Sequence, residues 1–121
     1  MHVIAFEETP VWQKGMQLLK IVYSVSRQFP EFEIYALTSQ IRRASISILA
    51  NAAEGYGRFT DNDKASKYII ARGECTEVHA LLLMAVGLNY VQHKDLQKAI
   101  HLCNEVGRML SGLIRHYKKK I

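Results

Sequence analysis

Long apolar runs are missing from this sequence, and so are the usual signals of export. The longest uninterrupted apolar run covers residues 80–88, whereas a membrane-spanning helix needs roughly 20 apolar residues. The first residues, MHVIAFEETP, lack the basic start and apolar centre of a secretory signal. The two cysteines, Cys75 and Cys103, lie inside helical patterns and are expected to be buried thiols. These absences predict a cytoplasmic protein with no membrane contact.

Catalytic and metal-binding signatures are missing as well. The sequence contains no G-x-S-x-G, H-E-x-x-H or P-loop pattern. Cys75 and His79, like His101 and Glu105, have the i, i+4 spacing of a ligand pair, but a structural zinc needs four ligands. We therefore interpret these side chains as packing residues. The sequence predicts no catalytic residue, no metal and no cofactor, and hence a protein that is not an enzyme.

Proline is scarce, and strand patterns are absent. Only two prolines occur, and no Val/Ile-rich alternating run is bounded by turns. Apolar residues instead recur at helical spacing, and helices joined by short connections pack antiparallel. The sequence therefore predicts one all-α domain over residues 1–121, an up-and-down antiparallel four-helix bundle. Its helices are expected at about residues 10–28, 38–54, 61–86 and 93–118.

Capping residues and glycines mark the expected helix ends. Thr9 precedes a proline and is expected to cap the first helix, and Thr60 or Asp61 the third. The sequence GYG at 55–57, which begins with Gly55, is expected to end the second helix, because glycine takes the left-handed C-terminal conformation without a Cβ clash. Gly73 lies inside the third helix, where glycine costs about 1 kcal/mol relative to alanine. We expect a close helix approach at Gly73 to offset that cost.

The fourth predicted helix has the clearest periodicity. One set of apolar residues alternates three and four positions apart, as the seam of a bundle requires. A second apolar line repeats every seven residues, and because a bundle helix needs only one stripe, we expect this line to face a neighbouring subunit. The pattern predicts a homo-oligomer. The seam is Leu96, Ala99, Cys103, Val106, Leu110, Leu113 and Tyr117, and the second line is Ile100, Gly107, Ile114 and Ile121.

Positive charge is concentrated in the last quarter of the chain. Residues 1–90 hold equal numbers of basic and acidic side chains, so residues 91–121 hold the whole net charge of +5. The tail residues Arg115, Lys118, Lys119 and Lys120 are candidates for binding nucleic acid, because clustered cations release counterions from phosphates. The alternative is a solubilising helix end, whose lysines suit the negative end of the helix dipole. The sequence leaves both interpretations open.

A second basic group surrounds the second predicted helix. It comprises Arg42, Arg43, Arg58 and Arg72, with Glu54 expected to orient the arginines. One interpretation is a phosphate-binding cluster. The other is a network of ion pairs within or between subunits, because the arginine fork suits carboxylates and phosphates equally well.

Several motifs along the chain resemble one known family, the 23S rRNA intervening-sequence proteins. The resemblance runs nearly end to end, and the motifs are specific only in combination. The sequence departs from the family at Leu49, where proline is frequent, at Ala52, where a larger aliphatic residue stands, and at Glu74, where serine stands. The matching segments are VWQK at 11–14, LTSQIRRA at 37–44, Asn51, AEGYGR at 53–58, ARG at 71–73 with Glu77, and MLSGLI at 109–114.

This resemblance implies a homopentamer of four-helix bundles whose molecular role is poorly defined. The family fold is similar to that of the accessory variability protein of diversity-generating retroelements, which works with a reverse transcriptase and nucleic acid, a fold-level analogy only. We therefore expect an oligomeric scaffold that binds RNA or DNA. The alternatives are an adaptor whose basic face docks an acidic protein partner, and a structural oligomer with no ligand of its own.

Overall fold

The computed structural model describes residues 4–118, and these residues form four α-helices and no strand. The helices contact one another in a ring, each packing against its neighbours in sequence, with α1 against α4 closing the circle. Three single turns of 3-10 helix, Phe6–Glu8, Glu31–Glu33 and His93–Leu96, precede α1, α2 and α4. The α-helices are α1 (Pro10–Ser26), α2 (Leu37–Gly57), α3 (Asp61–Gly87) and α4 (Gln97–Lys118). The structure is therefore all-α, and no helix in the described part of the chain is long and apolar enough to span a membrane.

Two of the predicted helix caps are confirmed. The Thr9 hydroxyl accepts a hydrogen bond from the backbone N–H of Trp12 at 3.4 Å, and the Thr60 hydroxyl accepts one from Asp63 at 3.1 Å. Each bond satisfies an amide that the first helical turn leaves without a partner. Both caps lie at the same end of the bundle, because α1 and α3 start there.

The helix α2 ends within the predicted segment, residues 55–57, but not through a left-handed glycine. The helix continues through Gly57, and no glycine among the described residues has a positive φ. The reason for a glycine at position 55 is space, since a Cβ there would lie 2.7 Å from the ring of Tyr68 on α3. Gly55 therefore allows α2 and α3 to approach closely where the two helices meet near the turn.

The core contains the predicted seam of α4. Leu96, Val106 and Leu110 are fully buried, and Leu113 and Tyr117 are partly buried against the same core. Ile100 and Ile114, from the second apolar line, are also partly buried against the core. Of the other two members, Gly107 is partly exposed and Ile121 lies outside the described residues.

Four exposed large apolar residues lie on α3, whereas the described part of α4 has none. Ile69, Ile70, Leu83 and Met84 are each 45–52% exposed. Gly73 lies between them on the same helix, and a Cβ added there would meet nothing within 4 Å. The close helix approach predicted at Gly73 is therefore wrong for the single chain, and this glycine is part of an open surface.

Candidate nucleic-acid interface

The predicted arginine cluster around α2 does not form. Arg43 points towards α3 and makes two ion pairs, with Glu74 at 2.9 Å and with Glu77 at 2.5 Å. Its Nε also donates to the Gln40 side chain at 3.1 Å. The hydrogen bond to Glu77, and to a smaller extent the one to Glu74, raises the pKa of Arg43 above its ordinary value. Each of the three guanidinium nitrogens therefore donates to a partner inside the chain, although half of the side chain remains exposed.

Arg42 faces the opposite side, towards α1. Its Nε donates to the Ser26 hydroxyl at 2.8 Å, and its guanidinium carbon lies 4.8 Å from the centre of the Tyr23 ring. A guanidinium over an aromatic face is attracted by the negative face of the ring. Arg42 thus joins α2 to the end of α1 and is only partly exposed.

Arg58 and Glu54 form a third, separate group at the end of α2. The Glu54 carboxylate accepts from Lys67 at 3.0 Å and from Arg58 at 3.2 Å. These two hydrogen bonds, the first from Lys67, lower the pKa of Glu54. Glu54 is therefore paired with Lys67 and Arg58, and within the described residues it has no ion pair with Arg42 or Arg43.

Arg72 lies apart from all of these residues, in a polar groove between α3 and α4. The groove has a volume of about 280 Å³. Its second arginine is Arg108 on α4, and both arginines are exposed. Within residues 4–118 no carboxylate forms an ion pair with either of them, and no acidic residue lines the groove. The other lining residues are Cys75, Thr76, His79, Cys103, Asn104, Gly107 and Ser111.

The basic character of the groove continues along α4 towards its end. Asn104, Arg108, Ser111, Arg115 and Lys118 follow one another at spacings of four, three, four and three residues, which puts them on one face of the helix. Arg115 and Lys118 are exposed. We call this surface, with Arg72 on α3, the α3–α4 basic groove. The predicted tail residues Lys119 and Lys120 lie outside the described residues.

The two cysteines form the buried base of the groove. Cys75 and Cys103 are free thiols, and burial raises the pKa of each to about 12. Thiols with such pKa values stay protonated at neutral pH and are poor nucleophiles and poor metal ligands. The described residues contain no group of three or more potential metal ligands. The groove can therefore offer hydrogen bonds and positive charge.

Sequence reasoning placed Arg72 and Arg115 among the candidate residues but missed Arg108. A signal for it existed, because Arg108 and Arg115 are seven residues apart and must share a face of α4. Arg72 was grouped instead with the arginines of α2. The helix spacing of α4 and the antiparallel pairing of α3 with α4 together define the groove.

Comparison with known proteins supports the fold. A crystal structure at 1.70 Å of a protein of unknown function from the S23 ribosomal protein family, from Bacteroides thetaiotaomicron VPI-5482, aligns with a TM-score of 0.78. The alignment covers 86% of this chain and 97% of that chain, at 21% sequence identity. A search of curated proteins gave no match.

The family comparison agrees with the resemblance seen in the motifs. The family described as 23S rRNA-intervening sequence protein matches residues 7–112. This range contains α1, α2 and α3 in full and most of α4. It includes both groove arginines, Arg72 on α3 and Arg108 on α4. The chain belongs to the 23S rRNA-intervening sequence protein family.

Proposed function

We propose that this protein is a non-enzymatic, cytoplasmic, oligomeric scaffold that binds the phosphate backbone of RNA or DNA in the α3–α4 basic groove. The observation that carries the proposal is the pair Arg72 and Arg108, two exposed arginines that line a polar groove without a carboxylate partner among the described residues. A guanidinium presents two parallel N–H donors that match a phosphate. An arginine without an internal partner has these donors available for a ligand.

The neighbouring polar side chains suit the same ligand. Thr76, Asn104 and Ser111 line the groove between the arginines and carry hydroxyl or amide donors. Such side chains, together with arginine, make most contacts to nucleic-acid phosphates, and those contacts fix position without reading the base sequence. The proposal therefore concerns backbone binding with little sequence preference.

Oligomerisation would strengthen binding by repeating the groove. We propose a homopentamer, as the family resemblance implies, in which the exposed face of α3 is buried between subunits. Support comes from Ile69, Leu83 and Met84, large apolar residues that stand exposed on that helix. An exposed apolar patch of this kind is typical of a protein interface. Several weakly basic grooves in one particle give a strongly basic surface and multivalent binding.

The groove is tested by charge removal with a matched control. The test variant is Arg72→Gln with Arg108→Gln, and the control is Lys20→Gln with Arg27→Gln, which removes the same charge from exposed positions of α1 and its end. Fluorescence anisotropy with a structured RNA and with duplex DNA is recorded over a salt series. We expect the test variant to bind more weakly, with a salt slope shallower by up to about 0.9 per lost contact on duplex DNA. The control variant keeps the wild-type slope.

Three results would contradict this proposal. Absence of wild-type binding to both RNA and DNA at low salt removes the nucleic-acid function, and an acidic protein partner then becomes the better explanation of the groove. Equal weakening in test and control variants means that net charge, not the groove, carries the binding. Strong discrimination between base sequences contradicts the backbone mode.

The oligomer is tested separately by light scattering. Wild-type protein is expected to have several times the 13.8 kDa mass of one chain. Leu83→Glu is expected to dissociate it, because a carboxylate cannot be buried in an apolar interface without a partner. Gln97→Glu, at an exposed position of α4, is the control and should leave the mass unchanged. A monomeric wild type would refute the oligomer.

A further inference from the structure

A second cavity lies at the end of the bundle where α1 and α3 begin and α2 and α4 end. Its volume is about 440 Å³, within the range of about 300–1,000 Å³ that is typical of small-molecule sites. No charged residue appears among the described residues that line it. Five of the lining residues are aromatic: Phe6, Trp12, Tyr56, Tyr68 and Tyr117.

The aromatic side chains are held in place by one another. The Phe6 ring meets Trp12 edge-on with 5.1 Å between the ring centres, and Tyr68 stacks on Tyr117 at 5.9 Å. The Tyr56 hydroxyl donates to the backbone carbonyl of Ile4. The lining is therefore a preformed set of aromatic edges and faces, and such surfaces favour a flat aromatic ligand through stacked and edge-on contacts.

One polar group of the lining has no partner in the described residues. Tyr68 is only 3% exposed, yet its hydroxyl makes no hydrogen bond within residues 4–118. In the same residues, every side-chain nitrogen or oxygen that is fully enclosed has a hydrogen-bond partner. Because the Tyr68 hydroxyl has none, it is not fully enclosed and is accessible from the cavity that Tyr68 lines. The hydroxyl is therefore a donor that faces the cavity, and a ligand acceptor placed there can take its hydrogen bond.

Lys64 makes a cationic ligand unfavourable. Its ammonium lies 5.9 Å from the ring centre of Tyr56 and 5.8 Å from that of Tyr117. The ammonium also donates to the Tyr56 backbone carbonyl at 2.7 Å. The positive charge at these two rings is therefore already supplied by the protein, and none of the described residues that line the cavity has a carboxylate to hold a second cation.

We propose that this cavity binds a small, flat, uncharged aromatic molecule that accepts a hydrogen bond from the Tyr68 hydroxyl. Burial raises the pKa of Tyr68 to about 12, so the hydroxyl keeps its proton and remains a donor throughout the physiological range. The site is separate from the α3–α4 basic groove and does not depend on nucleic-acid binding.

The probes are quinoline and naphthalene, which share a bicyclic shape, although only quinoline has a ring nitrogen that accepts a hydrogen bond. The chain has one tryptophan, Trp12, and it lines the cavity. Protein labelled with fluorotryptophan therefore gives one fluorine resonance that reports occupancy, and calorimetry gives the Kd. Both probes are expected to bind wild-type oligomer and to shift the Trp12 resonance.

Two variants separate the roles of shape and hydrogen bonding. Tyr68→Phe removes only the hydroxyl, so quinoline binding should weaken by about two- to tenfold while naphthalene binding is unchanged. Gly112→Leu should abolish binding of both probes, because Gly112 lines the cavity and a Cβ there meets only the Arg115 guanidinium, at 4.0 Å. Gly87→Leu, at the far end of α3 with nothing within 4 Å of its Cβ, is the matched control and should bind both probes normally.

Several outcomes would overturn the proposal. Failure of both probes to bind wild-type protein does so directly. So does unchanged binding in a folded Gly112→Leu variant, or an equal loss of both probes in Tyr68→Phe. A change of oligomeric mass in Gly112→Leu would assign the cavity to a second copy of the chain instead of a small molecule. If Gly112→Leu does not fold, the isosteric Tyr68→Phe comparison decides the question alone.

Discussion

Two groups of arginines in this molecule have the same chemistry but different surroundings. Arg43 and Arg58 are each held by carboxylates, at 2.9 Å and 3.2 Å. Arg72 and Arg108 line a groove in which no described residue is acidic. An internal carboxylate occupies the same donors that a phosphate would need. The difference teaches that the position of the nearest Glu, and not the presence of Arg, separates a structural arginine from one available to a ligand.

The largest expected effect concerns stability and compares two faces of α4. Leu110 is fully buried in the core, whereas Arg108 is exposed in the groove. Leu110→Ala should lower the free energy of unfolding by about 2–5 kcal/mol, because it removes buried contacts and leaves a cavity. Arg108→Ala should change it by less than about 0.5 kcal/mol. Chemical denaturation measures both values, and a large loss in Arg108→Ala would mean that the groove arginines are structural after all.

A second stability comparison tests the helix end that carries Glu54 and Arg58. Gly55→Ala should destabilise the protein by about 1–3 kcal/mol, because its methyl group would overlap the buried Tyr68 ring. Gly73→Ala should instead stabilise the α3 helix by about 0.5–1 kcal/mol, since its site is open. Thermal unfolding checks the opposite signs. A destabilised Gly73→Ala, together with a change in oligomeric mass, would reveal a close contact between subunits at that glycine.

The groove arginines can also be given a partner without removing them. Ser111→Glu places a carboxylate three residues after Arg108 and four before Arg115, both within reach on one helix face. If available arginines bind phosphate, this change should weaken RNA binding by about tenfold at low salt, with little effect on stability. Ser111→Gln is the neutral control. If Ser111→Glu binds RNA as tightly as wild type, the groove arginines do not bind phosphate.

The smallest effect is expected for the arginine that already has partners. Arg43→Gln removes two ion pairs from a half-exposed side chain, and solvent screening limits the cost to about 0.2–1 kcal/mol. The loss should shrink as salt rises. RNA binding should equal that of wild type in anisotropy titrations. Weaker RNA binding by a fully folded Arg43→Gln would show that paired arginines also contact the ligand.

Local residue patterns predicted most of the fold. The caps at Thr9 and Thr60 and the seam of α4 follow from chemistry within a few residues of each position. The role of Gly55 did not, because this glycine is required by the Tyr68 ring of another helix and not by its own backbone conformation. The exposed apolar face of α3 was also missed. Its residues lie on the side of the helix away from the buried ones, so apolar residues surround α3 and its sequence has no single apolar stripe.

The candidate site was predicted only in part, for a related reason. Arg42, Arg43 and Arg58 are close in sequence, but the helix turns them towards α1, towards α3 and past the end of α2 respectively. Arg72 and Arg108 are 36 positions apart and meet because α3 and α4 run antiparallel. Nearness in sequence therefore grouped the wrong arginines.

The sequence by itself determined the helical class, the caps, the seam of α4 and the family, because all of these depend on residue types at short spacings. The tertiary structure alone decided which arginines have partners, why position 55 must be glycine, and that five aromatic residues enclose a cavity beside the Tyr68 hydroxyl. Each of these depends on a distance between side chains of different helices. Helical periodicity fixes the face that a residue occupies, but only packing decides which residue it meets.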